Sequence, residues 1–179
     1  LEPGTWASGD HSGRPAQCPY TWTTIEGGVI HGEMFVRHHQ LDVIKGELFA
    51  DVMKELESWG EILFIVHTPD IVLECAGMIP PGSFGRGYYN IHGDSPIGGH
   101  IRAEACSRIV FLARPFMGRQ SCSIQFFNGD GEAMFKVFVR RDEKREMLAH
   151  QVAKFEAMRA RHADAANAWL AGTLDDAGV

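Results

Sequence analysis

Glu61-Ile62-Leu63-Phe64-Ile65-Val66-His67-Thr68, then Pro69-Asp70, then Ile71-Val72-Leu73-Glu74-Cys75-Ala76, is the stretch whose reading decides the fold. The first run is nearly all apolar, which predicts a strand buried on both faces. Pro69-Asp70 supplies turn chemistry, and the second run reads as another strand, so a hairpin or tight corner is expected. His67 closes the first strand. Downstream lies Pro80-Pro81-Gly82-Ser83-Phe84-Gly85-Arg86-Gly87-Tyr88-Tyr89-Asn90, and then His100 after the pair Gly98-Gly99. An imidazole ending a buried strand, a second beside bare backbone and aromatic rings between them suit a flat, metal-containing ligand. They suit the interior of a β-rich core equally well.

Toward the N-terminus, Leu48, Phe49, Val52, Met53 and Leu56 recur at intervals of three and four, so residues 47–58 are predicted to form an amphipathic helix lying on the sheet. Trp59-Gly60 ends it with a glycine stop. Residues 1–45 read as a separate, partly irregular N-terminal region, rich in Gly, Pro, Ser and Thr over its first thirty positions. Its neighbours His38 and His39 point to different sides of either regular structure, which places them poorly for sharing a metal.

Toward the C-terminus, residues 77–87 read as a loop by composition, and strands are expected over residues 88–92, 99–103, 108–113 and 121–127. Asn128-Gly129-Asp130-Gly131 between two apolar runs is a strong hairpin signal, with its second strand over residues 132–139. Asp142 is expected to cap a long helix carrying Leu148, Val152, Phe155 and Met158 on one face and stopping at Gly172. Strands that follow one another without helical crossovers make an antiparallel sheet. The expected class is therefore α+β: a core of about seven antiparallel strands flanked by an N-terminal helix and a long C-terminal helix. Residues 46–170 read as one domain and 171–179 as a tail.

Bulk properties exclude several functions. The 179 residues are 45% hydrophobic and 22% charged, with a net charge of −6, which argues against binding nucleic acid through its phosphates. No apolar run approaches the ~20 residues of a membrane span, and the N-terminus lacks the basic-then-apolar order of a secretion signal. Cys18, Cys75, Cys106 and Cys122 form no Cys-x-x-Cys pair, so a reducing, cytoplasmic setting is expected. Phosphate-loop, nucleophile-elbow and zinc-protease signatures are missing. Gly85-Arg86-Gly87 opens no strand-turn-helix unit and is no dinucleotide fingerprint.

His67 reads either as a core histidine bonded to a carbonyl or as a metal ligand or base. His100 stands the same way, with Gly98-Gly99 allowing close backbone approach or an unusual dihedral. His92, before Gly93-Asp94, reads as a surface turn. Phe84, Tyr88, Tyr89, Phe111, Phe116, Phe126 and Phe127 read mostly as core. Arg86, Arg102, Arg114 and Arg119 sit near turns or strand ends, where a planar guanidinium can meet ligand carboxylates.

Trp59-Gly60, Val66-His67-Thr68 with Asp70, Pro81-Gly82-Ser83-Phe84, Gly87-Tyr88-Tyr89-Asn90, Gly99-His100-Ile101, Phe116-Met117-Gly118, Phe126-Phe127-Asn128 and Phe138 follow one another in an order that resembles the ChuX/HutX family of intracellular bacterial heme-utilisation proteins. The resemblance covers about residues 46–160; residues 1–45 do not match the family's helical N-terminus. It implies a heme-binding α+β carrier whose chain resembles half of the larger HemS/ChuS-type proteins, with two chains forming a homodimer. It also implies heme contact, as candidate iron ligands, for His67 and His100. Heme, and the proteins that donate or accept it, are the partners so implied, with no nucleic acid and no membrane. A heme-degrading enzyme using an external reductant is the alternative, although no dedicated acid–base pair is visible. A module for another flat ligand, such as a flavin, is a third possibility.

Overall fold

A computed structural model describes residues 40–116 and 119–176, and the side chains of 42–115 and 119–162. Among these residues, nine strands form two antiparallel sheets. The larger contains β1 (Gln40–Lys45), β7 (Cys106–Phe116), β8 (Arg119–Asn128), β9 (Ala133–Phe138), β2 (Glu61–His67) and β3 (Val72–Met78), in that spatial order. The smaller contains β4 (Gly82–Gly85), β5 (Tyr88–Ile91) and β6 (Gly99–Ile101). Helix α1 (Phe49–Leu56) lies between short 3-10 turns, and α2 spans Ala149–Asp176. None of the described helices is long and apolar enough to cross a membrane.

The expected α+β class holds, with two sheets in place of one. The composition of residues 77–87 hid a strand. Arg86 and Gly87 have φ of 54° and 80°, the mirror-image two-residue turn whose twist matches a hairpin, so Gly85 pairs with Tyr88 and β4 with β5. At the other end of β4, Gly82 allows the Tyr89 ring to lie against the backbone, since a Cβ there would fall 2.1 Å from that ring. β1 was also unforeseen. It pairs with β7 from Gln40–Ala113 to Lys45–Arg108, so the sheet reaches back past residue 46.

Alternation along the strands gives the large sheet two different faces. Ile62, Ile109, Phe111, Ile124, Phe126, Phe135 and Val137 are buried on one of them. Against this face α1 lays its predicted stripe: Phe49, Val52, Met53 and Leu56 are all buried. The Phe49 ring meets Tyr89 of the small sheet at 5.4 Å and Phe126 of the large sheet at 5.5 Å. One helix thus joins both sheets, and Phe155 and Met158 of α2 complete the same core. Fully burying each such side chain contributes ~1.5–3 kcal/mol. The other face carries the smaller cluster Val43, Val110, Leu112 and Phe127, together with buried Ser123, Gln125 and Lys136.

Three local expectations require correction. β2 is less buried than its sequence implies, because Leu63, Phe64, Val66 and His67 are only half-buried and its neighbour β3 is the sheet edge. Asp142 does not cap the long helix; its Oδ1 accepts from the backbone N–H groups of Lys144 and Glu146, both at 2.9 Å, and so closes a tight turn. Helix α2 starts later, at Ala149, and continues through Gly172 to Asp176. The Asn-Gly-Asp-Gly hairpin is present as expected: the Asn128 N–H donates to the Glu132 carbonyl and the Asn128 carboxamide oxygen accepts from Asp130 and Glu132.

Candidate functional site

A groove of about 330 Å³ lies between β2 and β9 of the large sheet and residues of the small sheet and the segment before β6. Phe64 and Val66 of β2 and Met134 and Phe135 of β9 form one wall; Ile91 and Ile97 form the other. The wall is firm because Phe135 stacks between Phe64 at 4.9 Å and Phe126 at 4.2 Å. Gly98, Gly99, His100 and Arg102 form the rim. Gly99 has φ of 145°, so the glycine pair before His100 does serve an unusual dihedral.

His100 is exposed and sits opposite Asn90 in the β5–β6 ladder. Its Nδ1 lies 2.6 Å from Asn90 Oδ1. The Asn90 carboxamide nitrogen in turn donates to the carbonyls of Ser83, Gly85 and Tyr88 at 3.1–3.2 Å. Two rings flank the imidazole, Tyr88 at 6.1 Å and His92 at 5.5 Å between centroids. His92 is exposed and precedes the bend at Gly93-Asp94, as expected. The β5–β6 pairing, which the sequence does not show, sets His100 on the same side as Tyr88, Asn90 and His92.

His67 does not join this group. It directly follows groove-lining Val66 on an extended strand, so its ring leaves the sheet on the opposite face. There it is half-buried. Burial pushes its imidazole below the ordinary value of 6.5, and the charge of Lys136 lowers it further. Lys136 pairs across the ladder with Ile65, two residues before His67, which puts both on that face.

The remaining candidates separate clearly. Tyr89, Phe111, Phe126 and Phe127 are core, as expected. Phe84 and Tyr88 are instead exposed, beside a second hollow of about 300 Å³ that Glu104 also lines. The side chain of Phe116 lies outside the described residues, as do Cys18, His31, His38 and His39. Arg119 lies 3.8 Å from Glu146, and Arg86 occupies the turn of the β4–β5 hairpin. Arg102 is the arginine at the groove. No cluster of three metal-binding side chains occurs among the described residues.

Residues 43–158 match the model of the family described as haem utilisation ChuX/HutX. The chain belongs to this family. The intracellular heme transport protein HutX of Vibrio cholerae is 33% identical over 149 residues, which cover 83% of this chain and 76% of that protein. Among solved structures, a protein of Agrobacterium tumefaciens is 52% identical with a TM-score of 0.65, over 67% of this chain and 70% of its own. The heme binding protein ChuX is 38% identical with a TM-score of 0.65, over 68% and 77%. ChuS, an E. coli heme oxygenase, shares the fold alone: 17% identity and a TM-score of 0.56, with 65% of this chain aligned to 36% of that one. The aligned part of this chain thus corresponds to about a third of the larger one, and the two share a fold.

Proposed function

We propose that this protein is a cytoplasmic heme carrier or store acting in heme uptake and iron utilisation, and that His100 and His67 contact the heme. The observation that carries the proposal is an exposed imidazole held by a fixed carboxamide on the small sheet, with His100 and Arg102 both bordering the neighbouring apolar groove. The parts suit the ligand. A neutral imidazole ligates heme iron, an apolar wall shields a porphyrin edge from water, and a guanidinium pairs with a propionate. Membership of the ChuX/HutX family, the heme transport role of HutX and the heme binding of ChuX support the same reading.

A groove of about 330 Å³ is at the small end of ligand pockets. It takes one side of a porphyrin and leaves the rest accessible, as a carrier that hands on its cargo requires. A homodimer would supply the remaining cover, and heme-donor or heme-acceptor proteins would approach the open side. Metal binding in this reading is confined to the heme iron. The degradative alternative gains nothing specific, since likeness to the heme oxygenase extends only to the fold.

The deciding experiment is a hemin titration of the apoprotein followed at the Soret band, repeated with His67→Ala and His100→Ala. Saturation near one heme per chain, with a spectrum altered by His100→Ala, is the expected result. A featureless, non-saturating rise would remove the carrier reading.

A further inference from the structure

We propose that Asn90 is a positioning residue for His100: it holds the imidazole in the Nδ1–H tautomer and leaves Nε2 as a bare, outward-facing donor atom for a metal-centred ligand. The inference rests on His100 as the heme-contacting group and adds the reason that this ring is prepared for it.

Hydrogen-bond direction assigns the tautomer. The Asn90 carboxamide nitrogen is surrounded by three backbone carbonyls, those of Ser83 at 3.2 Å, Gly85 at 3.1 Å and Tyr88 at 3.2 Å. Carbonyl oxygens only accept. Reversing the carboxamide would set its oxygen against three other oxygens and lose every one of these bonds, so the network assigns its orientation. Asn90 Oδ1 therefore faces His100, and Oδ1 also only accepts. At 2.6 Å the hydrogen must come from Nδ1 of His100. A neutral imidazole carries one N–H, so Nε2 keeps its lone pair.

The fold supports this arrangement from both sides. Asn90 and His100 are direct partners in the β5–β6 ladder, and Asn90 is also paired with Ser83 in β4. The carboxamide is thus tied to the middle strand of the small sheet and to the turn of its hairpin. Histidines that ligate metals commonly donate their other ring N–H to such an acceptor, which orients the ring and raises its basicity; loss of the acceptor costs about 10–100-fold in metal affinity.

The test begins with apoprotein and needs no ligand. Long-range 1H–15N correlation of the His100 ring at a pH where it is neutral is expected to show protonated Nδ1 and unprotonated Nε2. Asn90→Ala is expected to give a spectrum in which Nε2–H appears, and to weaken hemin binding about 10–100-fold. Adding Asn90→Ala to His100→Ala is expected to cost little more. Protonated Nε2 in the wild-type apoprotein overturns the proposal, and that spectrum decides even if Asn90→Ala does not fold. Equal loss of hemin affinity from Asn90→Ala with and without His100 also overturns it, because Asn90 would then only brace the hairpin. If His100→Ala leaves hemin binding unchanged, the heme role of His100 fails, while the tautomer measured in the apoprotein stands by itself.

Discussion

Val66 and His67 are chain neighbours on β2, yet their side chains leave the sheet on opposite faces, Val66 into the groove rimmed by His100 and His67 toward Lys136. A heme seated against Val66 in that groove would not meet His67 of the same chain. Hemin bound to dilute, monomeric protein is expected to show one imidazole ligand from this pair. Bis-imidazole coordination by the pair is expected only when a second chain supplies the other ring, with a spectrum that depends on protein concentration. A concentration-independent bis-imidazole spectrum that needs both histidines would refute this arrangement.

His67 should make stability depend on pH in a defined direction. Its folded value is lowered from 6.5, first by burial and then by Lys136. Below about pH 6.5 the unfolded chain binds a proton that the folded chain still refuses, so the stability contribution is present above 6.5 and falls as pH drops toward the lowered folded value. Further acidification adds nothing more from this group. Urea denaturation at several pH values, compared with His67→Gln, is expected to show a shallower decline in the variant. An identical decline in both proteins would assign it to other groups.

Gln151 should be costly to replace. It is fully buried at the start of α2, where its carboxamide nitrogen donates to the carbonyls of Trp59 and Glu61 at 3.0 and 2.7 Å and its oxygen accepts from the Arg140 N–H at 2.8 Å. One side chain thus satisfies three backbone groups from the end of the first helix, β2 and the segment after β9. Gln151→Leu leaves them without it, at about 1–3 kcal/mol for each buried group. We expect a loss of about 3 kcal/mol or more, read as a lower urea midpoint with unchanged m-value.

The thiols should differ in reactivity. Burial pushes both Cys106 and Cys122 up to about 11, so little thiolate is present at neutral pH. Cys75 is only half-buried, on the edge strand. Brief iodoacetamide treatment of native protein, followed by peptide mapping, should find Cys75 labelled well before the other two. Equal labelling of all three would show that the core opens more readily than its packing implies.

How far the sequence could be read depended on whether the deciding interaction was local. The apolar stripe of α1, the turn chemistry of Asn128-Gly129-Asp130-Gly131 and the alternating runs around it are local, and each became the expected element. β4 was missed because its strand character comes from pairing with β5 rather than from Gly82-Ser83-Phe84-Gly85 itself. β1 was missed because its pairing partner β7 lies more than 60 residues away. Asp142 has the chemistry of a helix cap, yet its oxygen found nearer N–H groups in a tight turn.

The candidate site divides in the same way. His67 and His100 were visible as residue types in telling neighbourhoods, and the order of motifs around them sufficed to indicate the ChuX/HutX family. That much the chain determined alone, because apolar period, turn residues and motif order are properties of neighbouring positions. Only the tertiary structure decided that the two histidines leave β2 and the small sheet into different surroundings, that Asn90 and His92 flank His100, and that Phe64 and Ile91 face one another across a groove. The physical reason is that a side chain's surroundings follow from strand pairing and from which sheet face it occupies. A one-residue step along a strand reverses that face completely.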